Sequence, residues 1–155
     1  MEMPQPQAEH HKLRALEGTW TGEETLHPSP WVQETRKAEG RFTSRLDVDG
    51  FYLITDYAEE RDGKVVYRGH GVFGWDGKQR RYTMHWFDSM GGDAYSLPAL
   101  GTWEGDTLAF EQKTPWGHSR YVYSFEGDGR YAFRIETSRD GQAWSRMMEG
   151  SYARL

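Results

Sequence analysis

The chain has 155 residues, a mass of 18.0 kDa and a formal net charge of −5, with 24 acidic against 19 basic side chains. This is the length of one domain with a self-sufficient core. The absence of cysteine excludes disulfides, thiolate metal sites and a catalytic cysteine. The acidic balance speaks against nucleic acid, and no apolar run is long enough for a membrane-spanning helix. Aromatic residues make up 15% of a chain whose mean hydropathy is −0.90, so apolar matter is concentrated in large rings on a polar background.

Residues 1–7 hold two prolines and no apolar stretch, and read as a disordered tail rather than a secretory signal. A cytoplasmic location is the matching expectation. Residues 8–16 support one or two helical turns with Leu13 and Leu16 on one face, ended by Gly18. Such a segment suits a plug for a larger structure, and His10 and His11 read as its solvated start.

From Gly18 the punctuation is regular. Asp49-Gly50, Asp62-Gly63, Asp76-Gly77, Gly105-Asp106, Asp128-Gly129 and Asp140-Gly141 are hairpin dipeptides. Between them the spacing predicts about ten strands: 18–27, 34–47, 51–61, 64–75, 79–88, 95–103, 106–114, 117–127, 130–139 and 142–154. Consecutive antiparallel strands make an up-and-down meander, and closing it removes its exposed edges. The expectation is an all-β barrel over 8–155 with a short N-terminal helix, wide enough for side chains and one small ligand.

Turn positions set which residues share a face. A tight turn at Asp128-Gly129 pairs Glu126 with Tyr131, Val122 with Ile135 and Arg120 with Thr137. One at Asp140-Gly141 pairs Ile135 with Arg146 and Phe133 with Met148. The predicted interior then holds His118, Arg120, Val122, Tyr131, Phe133, Ile135, Trp144, Arg146, Met148 and Tyr152. Around Asp76-Gly77 the interior group is Tyr67, Gly69, Gly71, Phe73, Trp75, Tyr82, Met84, Trp86 and Asp88. On 34–47 it is Ala38, Gly40, Phe42, Ser44 and Leu46. A one-residue bulge reverses a face beyond it.

Several motifs carry a resemblance. They are Gly18-Thr19-Trp20-Thr21-Gly22-Glu23-Glu24, Ser29-Pro30-Trp31, Gly69 to Asp76, Tyr82 to Ser89, Gly101 to Leu108 and Met148 to Tyr152. Together they resemble a bacterial lipocalin-like family known only as domain of unknown function 1579, over nearly the whole chain. The resemblance implies a calycin-type barrel, with Trp20 across the closed end beside the helix, and implies no activity. The haem-binding nitrobindin barrels are a more distant likeness. They open G-x-W-x-G-x-G, and Glu24 stands here for the third glycine.

The leading candidate site is His118, Arg120 and Arg146 among Tyr131, Phe133, Trp144 and Tyr152. Two inward guanidiniums would grip a ligand carboxylate or phosphate, as in fatty-acid-binding barrels by analogy. The plainer reading pairs each Arg with an internal acid such as Glu24 or Asp88, or leaves it in water at the mouth. His70 and His85 on adjacent strands read as exposed histidines rather than a metal pair, because no third ligand follows from spacing. Asp88, beside Trp86 and before Met90-Gly91-Gly92-Asp93, suits a general base or an Asx turn. Glu23, Glu24 and Glu149, on the first and last strands, suit a carboxylate pair or cross-strand ion pairs. The glycines from Gly69 to Gly74 imitate a phosphate loop but open no helix.

The resulting expectation is a barrel that binds one small, partly apolar molecule, an anionic one included, through Arg120, Arg146, His118, Tyr131, Phe133, Trp144, Tyr152, Trp86 and Asp88. No metal or cofactor, no nucleic acid and no membrane is expected, and the protein acts as a monomer or homodimer. The alternatives are a small isomerase or cyclase using Asp88 or His85, a haem or metal barrel using His70, His85 or His118, and an interaction module filled by its own rings.

Overall fold

The computed structural model describes residues 1–30, 32–91, 97–115 and 117–155. Trp31 of the Ser29-Pro30-Trp31 motif, the end of the expected loop at Gly92 and Asp93, and the start of the strand expected from 95 lie outside them. A short helix α1 (Ala8–Lys12) runs into a 3₁₀ turn (Leu13–Leu16). The strands follow as β1 (Gly18–Leu26), β2 (Arg36–Asp47), β3 (Tyr52–Arg61), β4 (Lys64–Asp76) and β5 (Arg81–Asp88). Then come β6 (Ala99–Glu104), β7 (Thr107–Thr114), β8 (Gly117–Glu126), β9 (Arg130–Ser138) and β10 (Ser145–Arg154). Each strand pairs antiparallel with its chain neighbour, and β1 pairs with β10, so the described strands close into an up-and-down barrel.

The pattern that builds the barrel is the alternation expected of half-buried strands. On β2, Ala38, Phe42 and Ser44 are buried while Lys37, Glu39, Arg41, Thr43 and Arg45 are exposed. On β4 and β5 the expected interior group is found, with Trp75 opposite Tyr82, Phe73 opposite Met84, Gly71 opposite Trp86 and Gly69 opposite Asp88.

One end is shut. Leu13 and Leu16 are buried against Trp20, whose indole N–H donates to the Leu16 carbonyl at 3.0 Å. Tyr82 closes over the helix by donating to the Glu9 carbonyl at 2.7 Å. Each fully buried leucine stabilises the fold by about 1.5–3 kcal/mol, so five residues of helix are held by the barrel rather than by their own propensity.

The β8 faces are reversed from the sequence expectation. The connection from Glu126 to Arg130 holds three residues, with Gly127 at φ +65°, so Phe125 rather than Glu126 faces Tyr131. Tyr121, Tyr123 and Phe125 therefore turn inward, packed on Ile135, Phe133 and Tyr131, and His118 and Arg120 turn outward. On β10 a bulge at Met147 separates two registers: Arg146 pairs with Glu136, but Met148 pairs with Ile135. Met148 and Tyr152 are inward as expected, and Arg146 lies on the outer face.

Candidate functional site

The interior is filled unevenly. Trp20, Tyr131, Tyr152, Phe73 and Phe110 pack its closed half. Towards the other end lies a cavity of about 380 Å³, at the lower end of the ~300–1,000 Å³ typical of small-ligand sites. Its aromatic walls are Phe42, Tyr57, Tyr67, Trp86, Tyr121, Tyr123 and Phe133. Leu26, Val32, Met84, Ile135, Met147 and Met148 complete the apolar lining, and His27, Ser29, Glu59 and Asp88 supply polar groups. No lysine or arginine is among these described lining residues.

Trp86 can lie flat on this wall because of Gly69. A Cβ at Gly69 would fall 2.0 Å from the Trp86 ring, a distance only hydrogen can occupy. The indole N–H donates to the Tyr67 hydroxyl at 2.9 Å, which donates to Asp88 Oδ2 at 2.8 Å. The other Asp88 oxygen accepts from the Met90 amide at 3.0 Å. Asp88 thus both caps the turn after β5 and anchors a polar chain along the wall. Burial pushes the Tyr67 hydroxyl above its usual range.

Behind the wall sits Glu24, fully buried on β1. Tyr57 donates to its two oxygens at 2.6 and 2.8 Å, and Tyr152 donates to one of them. Burial pushes the Glu24 carboxyl up to about 7 against the opposing pull of the Tyr152 and Tyr57 hydrogen bonds. Gly40 provides the space, since a Cβ there would stand 2.5 Å from Glu24 Oε2. Glu23 and Glu149 do not join it: Glu23 lies 3.8 Å from Lys37, and Glu149 takes a 2.7 Å bond from Arg146. The expected carboxylate pair is therefore one carboxyl held by two tyrosines.

Among the described residues three buried side-chain atoms lack a hydrogen bond, Glu59 Oε1, His27 Nε2 and Arg61 Nε, and the first two belong to the cavity lining. Glu59 is 8% exposed, lines the cavity, and its Oε1 has no hydrogen-bond partner among the described residues. Burial pushes its carboxyl up, and the nearby Arg61 charge pulls it down. The His27 Nε2 is likewise buried without a hydrogen bond, 3.7 Å from Glu149. The His27 amide donates to the carbonyl of the bulged Met147 at 2.9 Å, so the bulge tethers this side chain to the cavity rim.

Of the residues singled out in the sequence, Trp86, Asp88 and Phe133 line the cavity. Tyr131 and Tyr152 are buried in the packed interior. The remaining four gather on the outer face. Arg120 stacks 3.7 Å over the Trp144 ring and meets Glu111 at 3.2 Å, while His118 packs edge-on against Trp144. Arg146 bonds Glu149. Among the described residues both arginines meet outer acids, Glu111 and Glu149, while Glu24 and Asp88 are held by tyrosine hydroxyls. His70 bonds Asp56 at 2.8 Å on the outer face and stands opposite Phe87, with His85 opposite Val72. His27 is the histidine lining the cavity among the described residues, and no group of three metal-ligating side chains occurs among them.

Sequence reasoning passed over His27, Glu59 and Tyr57. Glu59 and Tyr57 share the inward parity of Leu53 and Thr55 on β3, and that alternation was the available signal. Nothing local marks His27, because its place depends on the bulge of β10.

A family model described as "Protein of unknown function (DUF1579)" matches residues 5–154. Among solved structures, the crystal structure of Rv2717c from M. tuberculosis is similar, with a TM-score of 0.70 at 14% identity, covering 96% of this chain and 98% of that one. At that identity the similarity speaks to fold alone. No curated protein matches the chain.

Proposed function

The chain belongs to the DUF1579 family of proteins of unknown function, and we propose that it is a container whose barrel binds one small, mostly apolar molecule. The observation that carries this reading is the unfilled aromatic cavity of about 380 Å³ in a barrel whose other half is tightly packed. The polar end of the ligand is held by the wall chain at Asp88 and by the rim groups Glu59 and His27, in place of Arg120 and Arg146. The exposed faces of the strands carry charge, as in Lys37, Glu39, Arg41 and Arg45 on β2. This suits water around the barrel rather than lipid; a cytoplasmic bacterial protein acting alone or as a homodimer is the reading we attach to it.

Native mass spectrometry tests the reading. The freshly purified protein retains a non-covalent mass, and Ile135→Trp, which fills the cavity, loses it while keeping its circular dichroism. An unloaded mass, together with no calorimetric heat from millimolar 3-methylindole, sinks the container.

A second reading, acid–base catalysis in the same cavity, is favoured by Glu24. Tyr57 lines the cavity and bonds a carboxyl whose pKa is about 7, the value a proton shuttle needs at neutral pH. In this reading Tyr57→Phe keeps affinity for the retained molecule and slows its conversion by about 10²–10⁴. Equal turnover in the variant removes the reading.

A further inference from the structure

We infer that the molecule this cavity takes is an organic cation, an ammonium-bearing compound with an aromatic or aliphatic body. The inference rests on the container reading and gives its ligand a charge.

Three independent features converge. The first is an acceptor without a donor. Glu59 Oε1 is buried, lines the cavity and accepts nothing from the described residues. Burying such an oxygen unpaired is costly, the more so if it is charged, and a ligand N–H placed there removes that cost. The second is the sign of the lining. The polar side chains facing the cavity include Glu59 and Asp88, with no lysine or arginine among the described lining residues. Among the described lining residues an anionic ligand would meet two acids and no lysine or arginine. Arg61, which acts electrostatically on Glu59, does not line the cavity. The third is the wall itself. Trp86, Tyr57, Tyr67 and Tyr121 line one cavity. Aromatic walls of this kind favour a cation over an anion.

The test is a charge series on one scaffold: tryptamine (cation), 3-methylindole (neutral) and indole-3-propionate (anion), titrated calorimetrically into the full chain at pH 7.5. A charge-assisted hydrogen bond is worth about 1.5–3 kcal/mol, so tryptamine should bind at least about ten-fold more tightly than 3-methylindole. Indole-3-propionate should be weakest. In Glu59→Gln, which keeps shape and volume, the tryptamine advantage over 3-methylindole should fall below about three-fold. Neutral or anionic indole binding as tightly as tryptamine overturns the cation and leaves the container standing. Silence from all three overturns the cation, and together with an unloaded native mass it overturns the container as well. If Glu59→Gln does not fold, the wild-type ranking still decides, and Asp88→Asn serves as the second charge-removing variant, with the same fall in the cation advantage expected.

Discussion

The two ends of this barrel are built from the same kinds of residue and put them to different uses. At the closed end the large rings satisfy themselves: Trp20 bonds Leu16, Tyr82 bonds Glu9, and Tyr131 packs on both Trp20 and Tyr152. At the open end the rings face empty volume, and Glu59 and His27 leave polar atoms unmatched. Satisfied groups stabilise; unsatisfied groups in a cavity store affinity for something not yet bound. The barrel thus separates stability from recognition along its axis, with Glu24, Tyr57 and Tyr152 at the boundary.

Five substitutions would break or sharpen this division. Trp20→Ala removes the plug contact and should cost about 3–5 kcal/mol in urea unfolding. A loss below about 1 kcal/mol would mean that the closed end does not carry stability.

The boundary is next. Glu24 has a folded pKa of about 7, raised from 4.5. Its folded form therefore holds the proton more tightly than the unfolded chain does. The stability it allows is fully present below pH 4.5 and is lost as pH rises to about 7, a loss of about 3 kcal/mol. Relative to Glu24→Gln, the wild type should lose that amount between these pH values. Parallel stability–pH curves for the two proteins would contradict the placement of the carboxyl in a dry interior.

Gly69→Ala drives a methyl into the Trp86 ring and should cost about 1–3 kcal/mol by overpacking. The same variant displaces one cavity wall, so it should weaken 3-methylindole binding in calorimetry. Unchanged affinity would show that Trp86 is not part of the recognition surface.

The smallest effect belongs to the outer face. Arg120→Ala and Arg146→Ala remove partly exposed ion pairs and should each stay within about 1 kcal/mol of the wild type. Cavity affinity should not move in either. A large drop for Arg120→Ala would return the arginines to the site that the sequence pattern first gave them.

Those arginines show how far one chain can be read without its fold. The interior group on β4 and β5 was legible because the connection from Asp76 to Arg81 is four residues long. An even loop preserves the alternation that a two-residue turn predicts. The loop from Glu126 to Arg130 has three residues, and that one extra residue exchanged Arg120 for Tyr121 on the inner face. On β10 an odd connection and the Met147 bulge cancel, so Met148 and Tyr152 came out inward while Arg146, before the bulge, did not. The family motifs located strands and the plug, but not the cavity's polar groups.

The sequence by itself determined the strand count, the antiparallel order, the helical plug and the parity of β2, β4 and β5, because these rest on local spacing and turn chemistry. Only the tertiary structure decided that Glu24 meets Tyr57 and Tyr152, 33 and 128 residues away, and that Glu59 and His27 share one cavity. The Glu24–Tyr152 contact arises when β1 closes on β10, and the Glu24–Tyr57 contact reaches across β2. Closure is a property of the whole register, in which a single bulge or odd loop moves every side chain beyond it to the other face.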